Sequence, residues 1–211
     1  MKQDSQNALN NLYKTRKEHR NNVSFAFLNV NSIRNKHESL FELVGEQIDI
    51  LAIGETKLDD SFPSGQFSKK GFKNPYRLDH TANSGGIMLY VRENLIAREI
   101  TLNTLPNDIQ IISLELTTGT GKWAFLFVYR PPSQNLQYFL TNLADVLDYI
   151  YTKYEKVVIM GDFNCTVLNP TMVEILENFQ MTSQINTPTC YKSQQGICID
   201  LILTKNFTSV R

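Results

Sequence analysis

The amino-acid sequence predicts an α/β domain in which helices cover β-sheets. Short apolar runs are typical of buried strands, other segments have the apolar spacing of amphipathic helices, and the two kinds alternate along the chain. Strand pairs stand beside strand–helix–strand units, a pattern that favours a layered arrangement of sheets and helices. The chain has 211 residues, which is enough for one sizeable domain with its own core.

Seven apolar runs are predicted to form strands. They span residues 23–29, 48–55, 86–91, 109–116, 123–129, 157–162 and 198–203. Glycines at positions 119 and 121 separate the fourth and fifth runs, which predicts a hairpin there. Helical spacing predicts a helix over residues 135–151 and a shorter one near 173–178. A third helix is predicted to follow a cap at Ser32 and to carry Leu40 and Phe41 on an apolar stripe.

The first 22 residues are polar and mixed in charge, and they are predicted to form a flexible tail or a frayed helix before a domain at residues 23–211. A basic arm that touches DNA is the alternative. No apolar run approaches the length of a membrane span, and the N-terminus lacks the apolar stretch of a signal peptide. The three cysteines form no CxxC pair, so reduced thiols in an intracellular protein are expected.

The charge balance gives no overall support for binding to nucleic acid. The chain has 21 Lys and Arg residues against 21 Asp and Glu residues, a net charge of zero. Proteins that attract DNA through their overall field carry an excess of basic residues. Any contact with DNA is therefore expected to come from a local basic patch or from a divalent cation.

The C-terminal ends of four apolar runs carry polar side chains: Asn29, Glu55, Tyr129 and Asp162. Acids often end strands simply because loops begin there, so each position alone favours a structural role. Because strand ends bring side chains together at one edge of a sheet, the four together predict an oxygen-rich site. Such a site suits Mg²⁺, which prefers oxygen ligands. Asn164 lies two residues beyond Asp162 and is expected to point to the same side.

Six short motifs that include these residues occur in the order of a known family. They are LNVNSIRNK at residues 28–36, GETKL at 54–58, GGIMLYV at 85–91, VYRPP at 128–132, GDFN at 161–164 and IDLI at 199–202. The ordered set resembles the endonuclease/exonuclease/phosphatase superfamily, and within it the apurinic-like endonuclease domain of non-LTR retrotransposon proteins, which also contain a reverse transcriptase. The resemblance covers about residues 23–204.

This resemblance implies a four-layer αββα sandwich of the DNase I type, with the active site at one end. It also implies the ligands of a divalent metal, Mg²⁺ with Mn²⁺ as a substitute. Glu55 would bind the ion, Asn29 would help to organise the ion and the phosphate, and Asn31 would lie close by. Many relatives have an acid at the position of Asn31, so an amide there is expected to weaken a second metal contact.

The resemblance also implies roles around the scissile phosphate. Tyr129 would contact that phosphate, Asp162 would activate the attacking water, and Asn164 would steady the water or the phosphate. Arg130 and Thr189 would contact DNA, although the loop that follows Thr189 varies in length among relatives.

The resemblance further implies that Asp200 orients a histidine, which stabilises charge on the phosphate in the transition state. That histidine lies in a Ser-Asp-His motif on one further strand, and the residues up to Arg211 do not include it. The histidines at positions 19, 37 and 80 are expected to be ordinary surface residues. A chain that ends at Arg211 would lack the last C-terminal strand, and we expect it to nick DNA roughly 100-fold more slowly than one that carries it.

These features predict Mg²⁺-dependent hydrolysis of DNA phosphodiester bonds, which would nick target DNA for retrotransposition. DNA is the expected partner, a reverse transcriptase domain would follow in the full-length protein, and the nucleus is the expected compartment. Two alternatives stay open. In the first, the chain is a catalytically inactive or domesticated fragment of a mobile element. In the second, it is an enzyme of the same superfamily that hydrolyses RNA, inositol phosphates or lipid phosphates.

Overall fold

In the part of the chain that the structure describes, two mixed β-sheets and four helices form the α/β fold that the sequence predicts. The computed structural model describes residues 2–45, 47–102, 105–191 and 195–205. Within these residues the helices are α1 (Lys2–Glu18), α2 (His37–Val44), α3 (Leu136–Tyr151) and α4 (Pro170–Asn178), with a 3-10 turn at Ser64–Phe67. The strands are β1 (Phe25–Asn29), β2 (Ile50–Gly54), β3 (Tyr76–Leu78), β4 (Ile87–Val91), β5 (Ile96–Glu99), β6 (Gln110–Thr118), β7 (Gly121–Tyr129), β8 (Lys156–Asp162), β9 (Thr182–Ser183) and β10 (Asp200–Lys205).

Each of the two sheets contains one parallel pair of strands. The first sheet has four strands in the order β1-β2-β4-β3, of which β1 and β2 are parallel. The second has six strands in the order β5-β6-β7-β8-β10-β9, of which β7 and β8 are parallel. Helices α2 and α3 make the crossovers that these parallel pairs require. The hairpin predicted at residues 119–121 is confirmed and joins β6 to β7.

The two sheets pack face to face, and helices cover their outer faces. On β2, Ile50 and Ala52 belong to the buried cluster between the sheets, together with Met160 of β8. The alternate residues of β2, Leu51 and Ile53, belong to the cluster beneath α2. Both faces of β2 are therefore buried, which explains why its sequence is apolar throughout. Because α3 and α4 cover the six-stranded sheet, the four layers form an αββα sandwich.

The register of the strands brings polar residues to one edge of each sheet. Asn29 is opposite Gly54 across β1 and β2, and Tyr129 is opposite Asp162 across β7 and β8. Asp200, at the start of the antiparallel strand β10, is also opposite Asp162. We call the C-terminal ends of β1, β2, β7 and β8 the site edge. The β6–β7 hairpin lies at the other end of the six-stranded sheet.

Two local features of the first sheet differ from the sequence-based predictions. Ser32 does not cap a helix, because it takes a left-handed φ of 83° and its amide donates to the Glu55 carbonyl at 2.7 Å. Helix α2 begins later, at His37, with Lys36 in the cap position. The prediction that His37 is a surface residue is also wrong. It is 7% exposed, because it packs edge-on against the ring of Phe67.

The polar N-terminal segment contains helix α1, where the sequence predicts a tail or a frayed helix. Its end is connected to the sandwich, because the Arg16 guanidinium donates to the Asp49 carboxylate at 3.0 Å and to the Asn22 carbonyl at 2.7 Å. Leu12 packs against the cluster beneath α2. In the part of the chain that the structure describes, no helix is long and apolar enough to cross a membrane.

Candidate active site

A strained turn after β2 positions Glu55 at the site edge. Glu55 and Lys57 both have left-handed backbones, with φ angles of 52° and 55°. The turn is fixed by backbone hydrogen bonds from Thr56 to Gly86 at 3.2 Å and from Lys57 to Gly85 at 2.9 Å. Left-handed backbone at a residue other than glycine has a cost and persists where the surrounding structure enforces it. The fold thus holds the Glu55 carboxylate in one place.

Asn29 connects the two acids of the site across the gap between the sheets. Its Nδ2 donates to Glu55 Oε1 at 3.0 Å and to Asp162 Oδ2 at 2.8 Å. The Tyr129 hydroxyl donates to the same Glu55 oxygen at 3.2 Å. The structure therefore brings together four residues that are up to 133 positions apart in the sequence. Their catalytic roles stay predictions.

The segment after β8 presents Asp162 and Asn164 in a defined geometry. Asp162 Oδ1 accepts a hydrogen bond from the Asn164 amide at 2.9 Å, and Asn164 has a left-handed φ of 46°. Gly161 is required before them, because a Cβ there would lie 1.8 Å from the Val128 carbonyl oxygen. The close approach of β8 to β7 thus depends on the glycine of the GDFN motif.

The electrostatics of the site edge favour an added positive charge. Burial raises the pKa of Asp162 to about 6, and the neighbouring carboxylates of Asp200 and Glu55 also raise it, against hydrogen bonds from Asn29 and Asn164. Burial likewise raises the pKa of Asp200, and the charge of Glu55 adds to this shift. Like charges directly opposite each other on paired strands are destabilising. A proton or a cation bound here would relieve that repulsion.

The available donors suit a hard dication. Among the described residues, no three or more His, Cys, Asp or Glu side chains form a group that could hold a metal by themselves. Mg²⁺ does not need such a cage, since it commonly binds one or two carboxylates and completes its shell with water and substrate phosphate. Glu55 and Asn29 offer oxygen ligands of this kind at the site edge. The donor set therefore fits Mg²⁺ better than zinc.

Two other predicted site residues are already engaged by protein groups. Asn31 Oδ1 accepts a hydrogen bond from Lys57 Nζ, so this oxygen is shared with a cation. Thr189 Oγ1 accepts from the amides of Ile199 at 3.1 Å and Asp200 at 3.0 Å. Thr189 thus fixes the start of β10, and its predicted contact with DNA stays a prediction.

Arg130, predicted to contact DNA, has a different environment. It is 5% exposed, and its guanidinium points to backbone carbonyls, among them those of Phe163 at 2.7 Å and Asn164 at 2.8 Å. The protein's own carbonyls thus engage this guanidinium, and its predicted contact with DNA stays a prediction. The family resemblance implied a contact with DNA, and only the tertiary structure shows where the side chain lies.

Sequence reasoning missed two residues that support the site. Lys57 Nζ lies 3.8 Å from Glu55 Oε2, and the only signal for it was its presence in the GETKL motif. Gln110 is buried, and its Oε1 accepts from the Gly86 amide at 2.7 Å, which fixes the turn beneath Glu55. Nothing in the sequence marks Gln110, because its importance comes from the packing of β6 against the Gly85–Gly86 turn of the other sheet.

Two packed mixed sheets covered by helices, with acids and amides gathered at one edge, form a DNase I-like hydrolase architecture. The chain belongs to the Endonuclease/Exonuclease/phosphatase family, whose model matches residues 26–211. Members of this superfamily are hydrolases that act on phosphodiester bonds.

Solved structures with the same fold include DNA nucleases and a phosphatase. The 3′ phosphatase NExo from Neisseria, bound to a product DNA hairpin, is 20% identical, with a TM-score of 0.66 over 88% of this chain and 87% of that chain. An AP endonuclease from Archaeoglobus fulgidus is 18% identical, with a TM-score of 0.59 over 87% of each chain. The endonuclease domain of TRAS1, a telomere-specific non-LTR retrotransposon, is 12% identical, with a TM-score of 0.61 over 86% of this chain and 84% of that chain. No curated protein matches the sequence.

Proposed function

We propose that the protein is a Mg²⁺-dependent endonuclease that hydrolyses DNA phosphodiester bonds. One observation carries the proposal: Asn29, Glu55, Tyr129 and Asp162 form a hydrogen-bonded cluster at the site edge, where two sheets meet. Glu55 is half-buried and Asp162 is buried, and a buried carboxylate is costly unless a cation or a proton joins it. Protein cations do not fully compensate the negative charge of Glu55 and Asp162, so this site is suited to bind an added cation together with a phosphate.

In this proposal Asp162 accepts the proton of the attacking water. Its two oxygens are held by Asn29 Nδ2 and by the Asn164 amide, so the carboxylate cannot rotate freely. A pKa of about 6 leaves Asp162 ionised at neutral pH and makes it a better proton acceptor than an ordinary aspartate. Tyr129 and Asn164 border the same space and would orient the phosphate or the water.

Glu55 and Asn29 would hold the dication at the site edge. A bound Mg²⁺ acts as a Lewis acid that stabilises the negative charge developing on the phosphate oxygens. Lys57 Nζ, 3.8 Å from Glu55 Oε2, adds a fixed positive charge on the same side. Local charge of this kind would attract a polyanion even though the net charge of the chain is zero.

The proposed substrate is target DNA, nicked to prime reverse transcription in a non-LTR retrotransposon. The GETKL, VYRPP and GDFN motifs support this assignment, and so does the likeness to the TRAS1 endonuclease domain. A reverse transcriptase domain in the same full-length protein and a nuclear location complete the proposal.

Nicking of a supercoiled plasmid tests the proposal directly. We expect the protein to convert supercoiled plasmid to open circles in Mg²⁺ and not in EDTA, and Glu55→Gln to remove most of this activity. Glu115→Gln is the matched control, because it makes the same chemical change in a buried acid that lies far from the site edge. A folded protein that nicks no DNA in Mg²⁺ or Mn²⁺ would refute the endonuclease and favour the inactive or domesticated alternative.

A second candidate function is removal of phosphate from DNA ends. The likeness to a structure described as a 3′ phosphatase with a product DNA hairpin favours testing it. Release of inorganic phosphate from a 3′-phosphorylated hairpin, without plasmid nicking, would support this candidate. Cleavage of single-stranded RNA or of inositol phosphates under the same conditions would instead support the other substrates of the superfamily.

A further inference from the structure

Arg130 is a buried cation at the site edge whose guanidinium is bonded to backbone carbonyls. It immediately follows β7, and its guanidinium donates to the carbonyls of Phe163 at 2.7 Å, Asn164 at 2.8 Å, Gln134 at 2.5 Å and Pro131 at 3.2 Å. No carboxylate in the described part of the chain forms a salt bridge with it. Four carbonyl dipoles therefore solvate the charge, an arrangement that matches the fork-shaped donors of arginine and not the point charge of lysine.

The Arg130 backbone bonds to the same loop in return. Its amide donates to the Asp162 carbonyl at 2.9 Å, and its carbonyl accepts from Asn164 Nδ2 at 2.9 Å. Residues 162–164 are therefore bonded to Arg130 through both its main chain and its side chain. This loop contains the left-handed residue Asn164, whose conformation needs support from its surroundings.

We propose that Arg130 is a positioning residue that holds the Asp162-Phe163-Asn164 loop in its reactive geometry, and that it does not bind DNA. Through the loop it fixes the Asn164 amide against Asp162 Oδ1, the bond that orients the proton acceptor. The proposal rests on the hydrolytic function proposed above for the role of Asp162. It predicts that loss of Arg130 slows the chemical step and leaves binding of DNA unchanged.

Arg130→Met is the main test, with Arg92→Met as its matched control. Arg92 also donates from its guanidinium to backbone carbonyls, those of Ile48 at 3.3 Å and Gly45, but it follows β4 at the end of the first sheet remote from Glu55. We expect Arg130→Met to lower kcat by roughly 100-fold, since small misplacements in an active site have effects of that size. Its KM, and its Kd for a duplex oligonucleotide in EDTA, should stay within about 2-fold of wild type. Arg92→Met should leave kcat within about 2-fold even if its melting temperature falls.

A loss of affinity for DNA in EDTA, with kcat unchanged and a shallower salt dependence, would overturn the proposal and make Arg130 a phosphate contact. An equal loss of kcat in both variants would also overturn it, because the effect would then reflect general stability. If Arg130→Met does not fold, Arg130→Lys replaces it. Lysine keeps the positive charge but lacks the planar set of guanidinium donors, so kcat should still fall at least about 10-fold.

Hydrogen exchange at the Asn164 amide tests the assignment independently of catalysis. We expect exchange at least about 10-fold faster in Arg130→Met, and unchanged in Arg92→Met, because only the first variant frees the loop. Unchanged exchange in Arg130→Met would overturn the positioning role. If the wild-type protein nicks no DNA but exchange rises as expected, the proposed function fails while the assignment of Arg130 stands.

Discussion

Two buried acids in the six-stranded sheet have opposite surroundings. Glu115 of β6 is 5% exposed and Asp162 at the end of β8 is 3% exposed. Glu115 accepts hydrogen bonds from Arg98 at 2.9 Å and from the Tyr154 hydroxyl at 2.7 Å, and Lys122 Nζ lies 3.2 Å from its Oε1. Asp162 accepts hydrogen bonds from uncharged amides and is opposite another acid on the paired strand.

The pKa values of the two acids move in opposite directions. Burial would raise the pKa of Glu115, but hydrogen bonds from Arg98, Tyr154 and Lys122 outweigh burial and lower it to about 2. Burial raises the pKa of Asp162 to about 6, and nearby acids add to the shift. The two residues lie about 16 Å apart along the strands, five residues at about 3.3 Å each.

The difference separates an acid that stabilises the fold from an acid that is available for chemistry. Around Glu115 the protein supplies its own cations, so no ligand is needed. At the site edge the protein leaves the charge of Asp162 incompletely compensated, so a proton or the proposed cation would stabilise this part of the fold. Perturbed acids of the second kind are typical of functional sites.

The largest expected contrast is in catalysis. Asp162→Asn should lower the rate of plasmid nicking in Mg²⁺ by roughly 1000-fold, the size expected for loss of a general base. Glu115→Gln should change the rate by no more than about 3-fold at a temperature where it is folded, since Glu115 lies outside the site. Similar losses in the two variants would erase the distinction between the acids.

Metal affinity should follow the charge of Glu55. Calorimetric titration should show that Glu55→Gln weakens Mg²⁺ binding roughly 10- to 100-fold, whereas Asn164→Ala should weaken it less, because a dication gains most from a full carboxylate. Equal binding by wild type and Glu55→Gln would remove Glu55 from the metal site.

Stability without metal should depend on pH through Asp162. The folded pKa of about 6 lies above the ordinary value of 3.8, so the native state holds its proton more tightly. The free energy of unfolding of wild type should therefore fall between about pH 4 and 6, relative to Asp162→Asn, by about 2 kcal/mol. Denaturant titrations in EDTA across this range measure the effect. Parallel curves for the two proteins would mean that Asp162 is not perturbed in the native state.

The smallest expected effect is on stability at Glu115. Its folded pKa lies below the ordinary value of 4.5, so its contribution is complete above about pH 4.5 and is lost as the pH falls towards 2. At pH 7, Glu115→Gln should lower the free energy of unfolding by about 1 kcal/mol, because Arg98 and Lys122 are themselves largely solvated. A cost that is the same at pH 3 and pH 7 would show that packing, and not charge, determines it.

Local sequence signals were sufficient for most of the fold. The runs at 109–116 and 123–129 with glycines between them determined the β6–β7 hairpin, and the spacing over 135–151 determined α3. These features depend on contacts within short segments, where residue type and periodicity determine the conformation. The apolar runs also placed Asn29, Glu55 and Asp162 at the ends of strands.

The pattern of apolar runs predicts which polar residues stand at strand ends, whereas the packing of the two sheets sets how the charges of these residues are compensated. Asn29 bridges Glu55 and Asp162 because the two sheets pack face to face. No local sequence pattern predicts the distances between these three side chains. Arg130 points to four carbonyls, of which those of Phe163 and Asn164 come near it only because β8 pairs with β7. Electrostatic energy depends on separation in space and on burial, and the sequence specifies both only through the completed fold.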